Sequence, residues 1–583
     1  MQPIDYTTLA LVVGELNNLV VPARLEQVLQ TDRFTLHLGL KTVEGRKWLT
    51  CSWHPQAARL HLSKSVPRLP DTFTFSQQIW HQVGGLALVS VRLPQPWERV
   101  VVLEFAPRPQ APILWSLYLE IMGKHSNAIL VNQTNTIVTA AHQVNSQQSR
   151  RRPVLTGETY TLPPPQLLPC PQPTEPYSTW QNRLAVTEEP IGKALSSRYR
   201  GIGKYMAQAL CERAGINPQT HTPQLAQGEW EKLWHAWQFW LTSLANHKYS
   251  WQETEVGYVV LPEAEKEGKQ ISLSQQLEQY YGRHLQLENS KQLAQRLNQI
   301  VSNQQQKLQE KIKEFHIKLE QSAQADRIKN QADLLMANLH LITPGTAKIT
   351  LHDFNTDREL TIPLDPALTP SQNAQKLYKS YQKQKRARDI VLPLLQKAQQ
   401  ELAYLSNIHT ALAYLEENDL ESLREIQQEL IENGYGKGLD LEFYRPPKTK
   451  TEINCHRYPT PQGNEVWVGR NNFQNDTLTF KVATDYDLWF HALEIAGSHV
   501  LLRLKPGVEP DREELQFAAN LAAFYSQARY SEQVAVIYTQ PRFVFKPKGA
   551  KPGMVVYKNE KLIWARPSLA MAGTGFEPAT FGL

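Results

Sequence analysis

The chain is 583 residues long and carries 62 Lys and Arg against 56 Asp and Glu, a formal net charge of +6. A chain of this length exceeds what one hydrophobic core supports and predicts about three or four domains. A charge this close to balance excludes a uniformly basic surface, so any contact with nucleic acid has to come from local patches.

Cysteine usage and hydropathy indicate a reducing compartment and no membrane. The four cysteines lie far apart and form no Cys-x-x-Cys pair, as expected for ordinary thiols. The N-terminus has no basic segment followed by an apolar run, so no signal peptide is expected. No stretch is apolar for the length of a bilayer crossing. We therefore expect a cytoplasmic protein without a membrane partner.

Residues 1–175 are predicted to form a β-rich domain. Phe34–Leu40 and Trp48–Trp53 alternate apolar and polar side chains, the pattern of half-buried strands. Arg99–Phe105 is almost continuously apolar and indicates a buried strand. Two further strands are predicted around a glycine-containing turn that follows Glu120.

Hydrogen-bond donors collect at that turn. Lys, His, Ser and Asn side chains beside a glycine can hold a phosphate or a sugar edge. The alternative is that Glu120 and His125 satisfy each other across a bend. The candidate RNA-binding residues of this segment are Glu120, Ile121, Met122, Lys124, His125 and Asn127.

Residues 176–287 are predicted to be helical, after a Pro-rich stretch at 163–173 that is typical of an extended linker. Within them, Gly201-Ile202-Gly203 leads into a helix that starts near Lys204. A Gly-x-Gly turn at a helix N-terminus presents backbone N–H groups to a phosphate, the logic of a helix-hairpin-helix. A glycine turn between packed helices would look the same. Gly201, Gly203 and Lys204 are the candidates here.

Residues 288–440 predict an antiparallel coiled-coil hairpin with a small middle insertion. Apolar residues recur at three- or four-residue steps in both arms, near 288–342 and 370–433, while Gln, Lys and Glu fill the other faces. Between the arms, Lys348–Leu351 and Glu359–Ile362 predict a small β-hairpin. The helix after Asn373 is basic and carries tyrosines; it either grips rRNA phosphates or forms the solvated base of the hairpin.

Residues 445–567 predict an α/β module rich in groups that suit phosphates and unstacked bases. A Trp-Phe-His run is followed by a second histidine after a Gly-Ser turn, and three lysines stand in a Gly/Pro-rich loop. The histidines could instead be core residues, and the lysines a solvated surface. A metal is not expected, because zinc needs three or four ligands. The candidates are Arg470, Asn471, Asn472, Asp487, Trp489, His491, Ser498, His499, Lys546, Lys548 and Lys551.

In their order along the chain, these motifs resemble those of the NFACT family. Glu120–Asn127 matches the family signature Glu-(Leu/Ile)-Met-Gly-(Lys/Arg)-His-Ser-Asn throughout. The resemblance implies a multidomain α+β protein: an N-terminal β-rich domain (1–175), a helix-hairpin-helix domain (176–287), a coiled-coil hairpin (288–440) and an RNA-binding domain (445–567). Residues 568–583 match no part of it and are expected to be a disordered tail.

The resemblance also implies a function in ribosome-associated quality control. The protein would bind large ribosomal subunits obstructed by peptidyl-tRNA and recruit tRNA, mainly alanyl-tRNA (tRNA-Ala), for mRNA-independent alanine tailing that marks the nascent chain for degradation. It would need no cofactor and would not itself be an enzyme. An S4-domain RqcP-like protein is an expected partner.

Glu98 and Arg99 lie near the position of an Asp-Arg pair that the family uses to recruit tRNA. The acid here is one methylene longer, so charge and hydrogen-bond type are kept while the reach differs. The alternative is a surface ion pair worth at most about 1 kcal/mol.

Two functions of other classes remain open from sequence. The first is a fibronectin-binding surface adhesin, a name the family has carried, against which the missing export signal argues. The second is a nucleic-acid glycosylase, since the family's N-terminal domains are similar to formamidopyrimidine-DNA glycosylases. That chemistry is not expected here. The glycosylases use an N-terminal proline as nucleophile, whereas Pro3 follows Met1 and Gln2, and the zinc-finger cysteines are not present either.

Overall fold

The computed structural model describes residues 2–66, 71–149, 152–245, 249–254, 257–261, 272–353, 357–416, 418–436, 439, 453–460 and 462–570. The chain divides into two compact units, Met1–Gln286 and Leu287–Leu583. The predicted tail lies outside the described residues from position 571 on. The predicted domain bounds inside each unit stay predictions.

A nine-stranded antiparallel sheet dominates the first unit, with the strand order β4-β3-β2-β1-β5-β6-β7-β8-β9. The large N-terminal sheet predicted from apolar–polar alternation is therefore confirmed. Its strands are β1 Ala23–Asp32, β2 Thr35–Thr42, β3 Gly45–Ser52, β4 Arg59–Ser63, β5 Ala87–Arg92, β6 Val100–Ala106, β7 Trp115–Glu120, β8 Asn127–Asn132 and β9 Ile137–Ala140.

Two helices that the sequence analysis did not predict pack on this sheet: α1, Tyr6–Val20, and α2, Thr74–Val83. The Asp5 side chain caps α1 by accepting the Thr8 N–H at 2.8 Å. Nine of the fifteen α1 residues are buried, so the helix is apolar around most of its circumference. It therefore lacks the clear one-sided period by which a surface helix is recognised.

Helices α3 Tyr177–Leu184, α4 Ile191–Arg198, α5 Lys204–Arg213 and α6 Gln227–Ala245 build a second core in the first unit. Its largest fully buried side chains include Trp180, Trp237 and Trp240. The helical prediction for this region missed a hairpin of two strands, β10 Ser250–Thr254 and β11 Gly257–Leu261. β11 is buried over four of its five residues, and a short apolar run of that kind does not distinguish strand from helix.

Long helices form the middle of the chain. They are α7 Leu273–Ala323, of 51 residues, α8 Ala325–Ala337, α9 Pro370–Tyr414, of 45 residues, and α10 Leu420–Glu432. Strands β12 Lys348–Asp353 and β13 Arg358–Pro363 pair as the small hairpin predicted between the two arms.

The seam between α7 and α9 is antiparallel. Leu297 of α7 clusters with Leu405 of α9, whereas Phe315, further along α7, clusters with Leu395, further back along α9. The opening turns of α7 belong to the core of the first unit through Leu273 and its neighbours.

The C-terminal sheet has six strands in the order β14-β15-β17-β16-β18-β21. Its one long helix, α12, covers one face through residues such as Ala518 and Leu521. The elements are β14 His456–Pro459, β15 Glu465–Val468, α11 Asn472–Thr477, β16 Leu488–Ala492, β17 Val500–Arg503, α12 Arg512–Phe524, β18 Val534–Thr539, β19 Val544–Phe545, β20 Val556–Tyr557 and β21 Lys561–Ala565.

Alternation along β16 divides its side chains between the two faces of that sheet. Phe490 points into the core shared with α12, whereas Trp489 joins a smaller cluster on the other face with Leu501 and Ile537. Across the described part of the chain, no group of three or more His, Cys, Asp or Glu could hold a metal ion. No helix among the same residues is both long and apolar enough to cross a membrane.

Candidate nucleic-acid interface

Several predicted site residues of the first unit converge on one cleft of about 410 Å³, here called the N-terminal cleft. The loop before β6, the end of β7 and the turn before α5 supply its walls. These segments are far apart in sequence and meet only because the sheet and the helical core fold against each other. The predicted residues that line it are Glu98, Arg99, Ile121, Met122, Gly201 and Gly203.

Glu98 and Arg99 are both half-buried and contact different partners. A Glu98 carboxylate oxygen accepts the Gln166 N–H at 3.1 Å and lies 3.6 Å from the Arg200 guanidinium. The Arg99 guanidinium donates to the Ile4 carbonyl at 3.3 Å. The ion-pair partner of Glu98 is thus Arg200, and within the described residues no ion pair joins it to Arg99.

The turn at Gly201 is shaped by the tryptophan opposite it. Gly201 has φ +77°, and a Cβ there would come within 2.9 Å of the Trp97 ring. Trp97 itself has φ 62° and lies between the rings of Tyr6 and Trp240, at centroid distances of 4.5 and 5.5 Å. Gly201 therefore serves close packing across the cleft wall, while Gly203 is the N-cap of α5. Lys204 is exposed in the first turn of that helix.

A second carboxyl, Asp5, lies in the same cleft and was not predicted. Burial raises the pKa of Asp5, while its hydrogen bonds with Thr8 and the nearby Arg99 charge oppose that rise. The cleft therefore offers one guanidinium beside two carboxyl groups, together with backbone from a glycine turn. Such a mixed set can donate to a phosphate and also accept from a base or an amine.

Glu120 is buried and fully engaged. Arg152 donates to both of its carboxylate oxygens, one of them at 3.0 Å, and the Tyr160 hydroxyl donates at 2.8 Å. Burial and the Glu120 charge raise the pKa of Tyr160. The partners of Glu120 are therefore on a distant segment, and within the described residues no hydrogen bond joins Glu120 to His125.

Of the residues after Glu120, some stabilise the turn through hydrogen bonds, and others are exposed hydrogen-bond donors. Ser126 accepts the Met122 N–H at 2.9 Å, and the Asn127 amide exchanges two hydrogen bonds with the His142 backbone. These side chains fix the turn. Lys124 and His125, in the 3₁₀ turn Gly123–His125, are exposed to solvent and lie outside the lining of the N-terminal cleft.

In the C-terminal sheet, Asp487 is fully buried just before β16. Its carboxylate accepts the Thr484 N–H at 2.7 Å and the Leu504 N–H at 3.0 Å, and the Arg503 guanidinium lies 3.3 Å away. Asp487 therefore holds the backbone that positions the rings of β16. Its part in RNA binding stays a prediction, as it does for the other candidates.

Three predicted rings lie together on the β16 face. The Trp489 centroid is 5.7 Å from that of His491 and 5.2 Å from that of His499. His499 is buried, with Nδ1 2.7 Å from the Thr479 hydroxyl. Burial lowers the pKa of His499 to about 3 and lowers that of His491 as well, so both rings are neutral near pH 7. Ser498 contributes its backbone N–H to Tyr525 at 2.9 Å.

The predicted polar residues at the start of α11 bind acidic partners inside the second unit. These acids lie on α10 or cap it, and sequence gave no sign of the pairing. Asn471 and Asn472 are almost completely buried by it. The pairs are Arg470–Asp419 at 2.9 Å, Asn471–Glu425 at 2.6 Å and Asn472–Glu429 at 2.9 Å.

The three lysines of the predicted loop have different environments. Lys546 forms an ion pair with Asp476. Lys551 donates to the Tyr435 hydroxyl at 2.8 Å and lies 4.4 Å from the ring centroid of Tyr404; burial lowers its pKa. Lys548 is exposed, and the described residues include no ion-pair partner for it.

Together these features define a multidomain α+β protein whose C-terminal sheet carries aromatic rings close to lysines. The sequence matches the family described as NFACT N-terminal and middle domains over residues 5–440. It also matches the family described as NFACT protein RNA binding domain over residues 454–559. The chain belongs to the NFACT family.

Its relatives match it over almost their whole length. The chain is 30% identical over 567 residues to the "Rqc2 homolog RqcH" of Streptococcus pneumoniae serotype 2 (strain D39 / NCTC 7466), covering 95% of this chain and 96% of that one. It is 28% identical over 564 residues to the protein of the same name from Bacillus subtilis (strain 168), with 95% and 96% covered.

A solved structure, the C-terminal part of the fibronectin/fibrinogen-binding protein from Streptococcus suis, is 30% identical. The match covers 48% of this chain and 95% of that one, with a TM-score of 0.35.

Proposed function

We propose that this protein is a ribosome-associated quality control factor that binds large ribosomal subunits obstructed by peptidyl-tRNA and recruits tRNA to them. Membership of the NFACT family over nearly the whole chain supports this, as do relatives named RqcH. The observation that carries the proposal is the convergence of Glu98, Arg99 and Gly201 on one cleft.

On this proposal the protein positions tRNA on the ribosome and does not itself catalyse a reaction. The ribosome transfers the peptide, and the factor holds alanyl-tRNA so that alanine residues are added without mRNA. No enzyme activity and no cofactor are required of the chain itself. An S4-domain RqcP-like protein is a further proposed partner, and the cytoplasm is the proposed location.

The N-terminal cleft suits tRNA because its groups remain accessible. Arg99 is half-buried, and within the described part of the chain its guanidinium donates to a single backbone carbonyl, which leaves most of its five N–H donors for a ligand. Glu98 is held by Gln166 and Arg200, so its carboxylate has a fixed position. A fibronectin-binding surface adhesin is the alternative.

Sucrose-gradient sedimentation of stalled extracts tests the proposal. The full-length protein should travel with free large subunits at low salt. That association should weaken as salt rises, because phosphate contacts release counterions. A protein that stays at the top of the gradient at low salt would exclude the proposed function.

A further inference from the structure

The rings of β16 line a cavity of about 430 Å³, here called the ring cavity, whose other wall is α9. His491 and Tyr557 are the partly exposed rings of this lining, the rings of Trp489 and His499 lie buried behind it, and Met554 and Ala403 supply aliphatic surface. Ligand pockets for small planar molecules have this volume and this largely apolar lining.

The ring cavity is close to uncharged. Its two histidines are neutral near pH 7 because burial lowers their pKa values. Glu494 is the one formally charged residue among the described residues that line it, and that side chain is exposed. An anionic group would find no counter-charge in such a site, whereas a neutral ring would find stacking surface.

Polar groups without charge complete the lining. The amides of Gln399, Asn407 and Gln527 can each donate and accept, as the edge of a nucleobase requires. The Trp489 indole N–H is buried and has no acceptor among the described residues.

A second cavity of about 500 Å³ shares the Met554 and Val555 wall with the first. It is cationic, because Lys397, Lys548 and Lys551 line it against one acid, Glu401. A neutral aromatic cavity beside a lysine-lined one matches the two halves of a nucleotide, the base and the phosphate.

We propose that the ring cavity binds one unstacked nucleobase of single-stranded RNA, while the adjoining lysine cavity takes its phosphate. This inference rests on the proposed function, of which it names one RNA subsite. Removing one base–aromatic stack weakens binding by roughly 5- to 150-fold.

Fluorescence anisotropy of the full-length protein tests this with two probes of equal charge. One is a six-nucleotide uridine RNA, and the other is the same sugar–phosphate backbone without bases. The intact RNA should bind at least about 5-fold more tightly. Ala403→Leu, at an exposed helix position, places a larger side chain in the cavity and should reduce that difference. His409→Leu, exposed on α9 outside both linings, should keep it.

A 4-thiouridine RNA gives a second readout, since photo-crosslinks should map to cavity residues such as Tyr557. Equal binding of the two probes would overturn the inference, as would a base preference that Ala403→Leu leaves intact. Absence of binding to either probe would also overturn it. The proposed function fails separately, if the protein does not sediment with large subunits.

Discussion

The N-terminal cleft and the C-terminal module use their predicted residues in opposite ways. In the cleft, Glu98, Arg99 and Gly201 come from distant segments and line one open space. In the module, polar residues such as Asn471 and Asn472 are buried against acidic partners. A polar residue in a family motif can therefore serve the ligand in one domain and the fold in another.

The largest effect should come from Glu120, which borders the cleft but serves the fold. Glu120→Ala leaves the Arg152 charge buried without its carboxylate, and removing one partner of a buried pair costs about 3–5 kcal/mol. Denaturant unfolding of the first unit should register that loss. Arg46→Ala, which breaks an exposed pair with Glu26, is the control and should cost far less, because water screens an exposed ion pair. Equal losses for the two variants would contradict a structural Glu120.

Glu429 provides a pH test of the module's internal contacts. Burial raises its pKa from 4.5 to about 7, so the folded state holds its proton where the unfolded state has lost it. Stability from this group is present below about pH 4.5 and is lost as pH rises through about 7, a change on the order of 3 kcal/mol.

Glu429→Gln should remove that dependence from the unfolding of the second unit. Glu421→Gln, in the first turn of the same helix, is the matched control and should keep it. An unchanged pH dependence of stability in Glu429→Gln would show that the carboxyl group of Glu429 is not the group that titrates.

Two glycine substitutions distinguish the effect of backbone strain from the effect of packing in the cleft. Gly201→Ala and Gly215→Ala both force a side chain into positive φ, which costs about 1–2 kcal/mol. Only at Gly201 does the new Cβ meet the Trp97 ring, since nothing lies within 4 Å of it at Gly215. Gly201→Ala should therefore destabilise more and also reduce tRNA recruitment. Equal effects on stability and recruitment would mean that Trp97 does not shape the cleft.

The smallest expected effect is on RNA binding, and it compares a lysine that has an ion-pair partner with a lysine that has none among the described residues. Lys548→Gln should weaken RNA binding and reduce the slope of log affinity against log salt by about 1. Lys546→Gln should change that slope less, because Asp476 already neutralises Lys546. Titrations at several salt concentrations measure both slopes, and a larger change for Lys546 would reverse the assignment.

Local patterns predicted the elements, and long-range pairing was beyond them. Alternation in Phe34–Leu40 indicated the sheet, and the recurring leucines indicated the long helices of 51 and 45 residues. The burial of α1 around most of its surface hid its period. No local pattern relates Glu120 to Arg152, because their contact depends on where the chain returns after β9.

The sequence identified several residues of the N-terminal cleft, but it did not predict how they are arranged around it. Glu98 and Arg99 were identified, but Asp5 and Tyr6 were not, although both line the same cleft. Their signal in the sequence is weak, since a helix N-cap followed by a tyrosine is common in any fold. The contact between Gly201 and Trp97 could not be predicted, because nothing in the sequence near either residue indicates the other.

The N-terminal cleft as the tRNA-recruiting site is tested most directly by tRNA counts on purified large subunits. Glu98→Ala with Arg99→Ala should lose most of the tRNA while the protein still sediments with the subunit, since each lost contact costs about 1–3 kcal/mol. The matched control is Glu26→Ala with Arg46→Ala, an ion pair on the same sheet away from the cleft lining. It should carry as much tRNA as the parent. A Glu98/Arg99 variant that also carries the parental amount would contradict the assignment of this cleft.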